Sequence, residues 1–144
     1  MQHITVLLRN LPGEFSAIAD LLERDGVRIL AFHVANTGPR SGYVQLLCDD
    51  HLRAFATLSG SFHNYVHRCD VLVVRIAGAA GMLARLLERL TRAQVNIENA
   101  YQTLDSKGQP LVVMEIPTEH MSKAGLALQD AAGCCVIDEA ASIT

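Results

Sequence analysis

The chain opens on "HITVLLR" (residues 3–9), an apolar, β-rich run that predicts a strand. The period then changes. Phe15, Ile18, Leu21 and Leu22 fall at the spacing of one helix face. Pro12 stands just ahead of that run and Gly26 just past it, the positions where these residues punctuate a helix. "VRILAFHVAN" predicts a second strand, "TGPRSG" a turn, "YVQLLC" a third strand, "DHLRAFATLSG" a short helix and "YVHRC" a fourth strand. The order is β-α-β-β-α-β.

The same pattern then recurs. At an offset of 68 residues, the separation of Gly13 and Gly81, Leu22 falls on Leu90, Arg24 on Arg92, Val27 on Val95, Ile29 on Ile97 and Val44 on Val112. Leu58 meets Leu126 and Asp70 meets Asp138, so the alignment needs no gap. The second copy reads as a strand in "VLVVRIAG", a helix in "AAGMLARLLERLTRA", and a hairpin from "VNIENAYQTL" through "DSKGQ" to "PLVVMEI". A helix in "EHMSKAGLALQDAAG" and a strand in "CCVID" close it. The pattern predicts two copies, 1–70 and 71–144, joined through nearly continuous extended chain with no Pro/Gly/Ser-rich linker. With right-handed crossovers each copy is a ferredoxin-like α+β sandwich, an antiparallel sheet with helices on one face.

Composition narrows the function classes. The 144 residues are half apolar, enough for one ordinary domain or two small ones. A formal charge of −3 with no long charge run argues against a nucleic-acid partner. "ITVLL" is too short for a signal-peptide core or a membrane span, so the expectation is a cytoplasmic protein. Cys48, Cys69, Cys134 and Cys135 form no C-x-x-C pair and read as reduced core or sheet residues. His63, His67 and Cys69 share one strand face by their period of two, which could bind zinc or copper, but an ordinary strand face accounts for them as well. No nucleophile elbow, phosphate loop or H-E-x-x-H is present. No catalytic residue, metal site or cofactor is therefore assigned.

"NLPGEFSAIADLLERDGVRI" and "GAAGMLARLLERLTRAQVNIENAY" resemble the start of ACT domains, small βαββαβ ligand-sensing modules of amino-acid metabolism. The resemblance covers both halves and implies a tandem ACT pair with no enzyme domain attached. It also implies a site where the loop of one module meets the start of the second strand in its neighbour. Pairing the first loop with the second copy's strand gives Asn10, Leu11, Pro12, Gly13, Glu14 and Phe15 with Asn96 and Ile97. The opposite pairing gives a depleted, weaker site of Gly78, Gly81, Met82, Arg28 and Ile29. A helix N-terminus attracts a small anion such as a carboxylate. Asn10 can both donate and accept, and it can equally serve as an Asx-turn or cap. Glu14 suits the helix dipole but repels a ligand carboxylate, so it should pair with a ligand ammonium or point to solvent.

The resemblance thus implies a homodimeric, amino-acid-responsive regulatory protein, with a metabolic enzyme or regulator as a possible partner. A ligand-independent module that docks onto a metabolic enzyme would show the same repeat. A small acylphosphatase-like enzyme shares the βαββαβ topology, but Arg9 precedes the turn without a surrounding anion-cradling loop.

Overall fold

The computed structural model describes residues 1–62, 65–140 and 143. His63, one member of the His63/His67/Cys69 reading, lies outside them. The chain divides into two compact units, Gln2–Cys69, and Asp70–Thr144 together with Met1.

The first unit holds β1 (Gln2–Arg9), α1 (Glu14–Arg24), β2 (Ile29–Gly38), β3 (Ser41–Cys48) and α2 (His51–Phe62), followed by the first residues of β4 (Val66–Ile76). Its strand order is β2-β3-β1-β4, and the β2–β3 and β1–β3 pairs are antiparallel. Ile4 pairs with Leu46 and Val6 with Val44, all fully buried. These strand positions form one core with Ile18 and Leu22 of α1 and Ala54 and Leu58 of α2. Both helices therefore cover the same face of the sheet, as the alternation of apolar positions requires.

The second unit continues β4 and adds α3 (Met82–Arg92), β5 (Asn99–Leu104), β6 (Pro110–Glu115), α4 (Met121–Gln129) and β7 (Cys134–Ile137). Its order is β5-β6-β4 with β7 on the other side of β4, again antiparallel. The register repeats at the same offset: Leu72 pairs with Met114 and Val74 with Val112. Leu86 and Leu90 of α3 and Ala124 and Leu128 of α4 complete a core of the same plan. Each unit is thus an α+β sandwich with an antiparallel sheet.

The ungapped alignment is corrected at one place. Leu126, matched to Leu58 by the constant offset, is 72% exposed, whereas Leu58 and Leu128 are fully buried. Ala54 and Leu58 correspond to Ala124 and Leu128, an offset of 70. The two extra residues enter at the 3-10 turn Thr118–His120 that precedes α4. The match of Asp70 with Asp138 falls with the same shift.

Two local features explain the punctuation at the helices. Gly13 and Gly81 take left-handed conformations at the helix starts, φ 90° and 84°, where any other residue is strained. Past the helix ends, Gly26 has φ 71° and its counterpart Gln94 has φ 53°, so the second copy keeps the turn without the glycine.

Among the described residues no helix is long and apolar enough to cross a membrane. All four cysteines are free; Cys48 is buried and Cys135 exposed.

Candidate functional site

The chain leaves β1 through a tight loop. The Asn10 N–H donates to the Arg40 carbonyl at 3.2 Å and the Leu11 N–H to the Arg9 carbonyl at 2.8 Å. The Ala17 N–H donates to the Gly13 carbonyl at 2.9 Å, which starts α1. No side chain caps the helix. Among the described residues the Asn10 side chain makes no hydrogen bond, so it is neither an Asx-turn nor a cap. Leu11, Pro12 and Gly13 are exposed. Phe15 packs on the core, and its ring lies 5.1 Å from that of Phe32.

Glu14 departs from the expectation. It does not point to solvent; its carboxylate accepts a hydrogen bond from Arg9 at 2.5 Å and its side chain is 19% exposed. A ligand ammonium would have to compete with that guanidinium.

A small cavity of about 80 Å³ opens at this loop, bounded by Asn10, Leu11, Glu14 and Phe15 on one side and by Asn36 and Tyr43 of the β2–β3 hairpin on the other. Beside it lies a larger groove of about 670 Å³, which shares Arg9 and Glu14. Arg40, Thr37 and Ser41 line this groove from the hairpin, and Ser61, Phe62 and Tyr65 from α2 and the residues that follow it. The larger volume is in the range of small-molecule sites. It carries charges of both signs, with hydroxyls and aromatic rings between them. "TGPRSG" gave only a turn signal, so Thr37, Arg40 and Ser41 were not legible as groove residues. Only the hairpin register carries them beside β1.

The remaining candidates belong to the second copy's loop and to the segments ahead of β2 and β5. Asn96 and Ile97 were expected to open a strand, but β5 starts at Asn99 and residues 95–98 precede it. Asn96 is exposed, and Ile97 packs against the core of its own unit. Arg28 likewise precedes β2; its N–H donates to Asp49 Oδ1 at 2.9 Å and its guanidinium lies 3.6 Å from the same carboxylate. Ile29 opens β2 and packs on the core. Gly78 and Gly81 are exposed with open space around them, while Met82 is a core residue. The second loop offers no side-chain polar group comparable to Asn10.

No family model matches the chain, and no curated protein does. Solved structures do match. A protein from Bacteroides thetaiotaomicron superposes with a TM-score of 0.81 at 20% identity, over 94% of this chain and 91% of that one. The ligand-free regulatory subunit of aspartate kinase from Thermus thermophilus gives 0.63 at 15% identity, over 90% and 91%. The regulatory subunit of aspartate kinase from Thermus flavus gives 0.62 at 17%, over 91% of each chain. At these identities the likeness is one of fold, consistent with an ACT-like ferredoxin fold in this chain.

Proposed function

We propose that this protein is a tandem ACT-domain regulator that senses an amino acid or a related small metabolite and catalyses no reaction. The observation that carries this reading is the groove at the first loop, lined within one unit by Arg40 and by the Arg9–Glu14 pair: Arg40 would take a ligand carboxylate, and a ligand ammonium would take the place of Arg9 on Glu14. Asn10 supplies a free amide beside them. The fold shared with the regulatory subunits of aspartate kinase supports a regulatory role. In the ACT-like scheme a neighbouring module completes the site, and Asn96 and Ile97 are this chain's residues proposed for that part. Gly78, Gly81, Met82, Arg28 and Ile29 form the weaker counterpart. The working state is a homodimer that controls a metabolic enzyme or regulator.

The test is a thermal-shift screen against the twenty amino acids, purines and nucleotides. A true ligand at about 100 times its Kd adds roughly 2.7 kcal/mol of stability. Arg40→Gln and Asn10→Ala should each remove most of the shift. A screen in which nothing moves the transition turns the reading toward a ligand-independent docking module. One observation favours that second reading: Phe32 and Val34 on the edge strand β2 are 57% and 46% exposed.

A further inference from the structure

The repeat brings the same helix positions to the wall of a groove in each unit. In the first, Ala17, Asp20, Leu21 and Arg24 of α1 face Ser61 and Phe62 across about 320 Å³. In the second, the positions 68 residues on are Arg85, Glu88, Arg89 and Arg92 of α3. They face Ala131 and Ala132, which stand 70 residues after Ser61 and Phe62, and the space grows to about 640 Å³. The offset of 70 is the one that the buried leucines of α2 and α4 require. The two grooves thus lie at corresponding positions of the sequence, but their second walls differ in form: Ser61 and Phe62 are the last residues of α2, whereas Ala131 and Ala132 follow the end of α4 at Gln129.

The differences between them fall into two kinds: bulk is lost on the wall facing the helix, and positive charge is gained on the helix. Side chains that fill the first groove are cut back in the second: Phe62 becomes Ala132 and Ser61 becomes Ala131. The polar bridge that ties the helices in the first unit is also removed. There the Asp25 carboxylate accepts hydrogen bonds from Thr57 and Arg53. In the second unit Ala93 and Ala127 stand at the positions of Asp25 and Thr57. Meanwhile two uncharged positions, Ala17 and Leu21, become Arg85 and Arg89. The second groove has three guanidiniums against one carboxylate, Glu88, and that carboxylate pairs with Arg92 at 2.6 Å. Among the described residues neither Arg85 nor Arg89 forms an ion pair. Arg89 Nη1 reaches only the Ala127 carbonyl, at 3.5 Å.

From this divergence we infer that the groove between α3 and α4 is a binding site for a small phosphorylated metabolite, separate from the loop site and independent of what that site binds. Residues at i, i+4 and i+7 share a helix face, so the three forks form a row about 10 Å long. A phosphate has enough oxygens to engage two forks at once, and guanidinium geometry matches it in bidentate fashion. The alanine floor gives room without any aromatic ring for a base to stack on. The ligand class is thus a sugar phosphate or a pyrophosphate and not a nucleotide held by its base.

Isothermal calorimetry on the full chain, with inorganic pyrophosphate as the probe, tests this. Binding should saturate at one site per chain and weaken as salt screens the arginines. Arg85→Gln and Arg89→Gln should each weaken it by about tenfold or more, the loss expected for a charge-assisted hydrogen bond. Ala132→Phe, which puts a ring into the groove from an exposed turn position, should abolish binding while the unfolding transition stays in place. Citrate serves as the polycarboxylate arm. Pyrophosphate binding that is undetectable at millimolar concentration, or unchanged in Arg89→Gln and Ala132→Phe, overturns the site. Citrate binding as tightly as pyrophosphate overturns the phosphate assignment.

Discussion

The shift of register between the two copies makes a sharp prediction about two leucines of α4. Leu126 and Leu128 are two residues apart on one helix, yet Leu126 is 72% exposed and Leu128 is fully buried with Leu86, Leu90 and Met114. Leu128→Ala removes buried methyl groups and leaves a cavity that the surrounding helices and strands fill only in part. The expected loss is about 2–5 kcal/mol, whereas Leu126→Ala should stay within about 0.5 kcal/mol of the parent. Such losses are large against the roughly 5–15 kcal/mol that holds a typical domain folded. Urea unfolding followed by circular dichroism reads them. With a slope of about 2 kcal/mol per molar, Leu128→Ala should move the midpoint down by roughly 1–2.5 M. Leu58→Ala, the equivalent change in the first copy, should fall in the same class. If Leu126→Ala costs as much as Leu128→Ala, the two-residue insertion ahead of α4 is misplaced and the comparison of the grooves loses its register.

Other outcomes can be checked on the same material. Gln94→Gly should stabilise the protein by about 0.5–1 kcal/mol, because it relieves a left-handed residue at a modest entropic cost; Gly13→Ala should destabilise it by about 1–2 kcal/mol, both read by urea unfolding. Burial, reinforced by the Asp49 and Asp50 carboxylates, pushes the Cys48 thiol up to about 12, so iodoacetamide at pH 8 should label the exposed Cys135 and leave Cys48 untouched until the protein unfolds. The Asp105 carboxyl is held below its ordinary value of 3.8, first by the N–H of Gln109, then by the N–H of Lys107 and the Arg75 guanidinium, with burial opposing. A carboxyl lowered in the folded state lends stability above its unfolded value and loses it as pH falls through the folded one. Asp105→Asn should therefore flatten the acid limb of the stability curve below about pH 4, and an acid titration unchanged by the substitution would refute this assignment.

Much of the fold was legible because it depends on periodicity. The first helix was marked by apolar spacing, with Pro12 ahead of it and Gly26 past it, and its copy by the 68-residue offset; the left-handed conformation of Gly13 and Gly81 at the helix starts came only with the structure. Strand pairing followed from which face each apolar residue must bury, which is why Ile4–Leu46 and Leu72–Met114 repeat. The insertion ahead of α4 was not legible, since a leucine stands at both 126 and 128 and only burial tells them apart. The segments ahead of β2 and β5 read as strand because Val27, Val95 and Ile97 are β-formers, but the strands start later, at Ile29 and Asn99. At the candidate site, Asn10 stood out by its residue type, while the Glu14–Arg9 pair did not. Two residues on either side of a turn meet only when the turn's path is known.

The two units place their core residues on the same plan of strands and helices. Core positions of the two copies have stayed apolar and in register, for any slip would carry a whole strand face into water. Surface positions carry no such constraint, so their drift should be scattered in size and charge. The α3–α4 groove does not drift in that way. Bulk is lost at the positions of Thr57, Ser61 and Phe62, and positive charge is gained at those of Ala17 and Leu21, all around a single cavity. Adding two guanidiniums beside a carboxylate that already pairs with a third is unfavourable unless something anionic offsets their repulsion. The first loop shows the complementary case: Asn10 has no counterpart at Gly78, and the groove beside it carries both signs of charge. Each copy thus departs from the common plan at a different place, the first at the mouth of its first helix and the second between its two helices. If both proposed sites bind, substitutions in one surface should leave binding at the other intact, and calorimetry on Asn10→Ala and Arg89→Gln with each ligand in turn would show it.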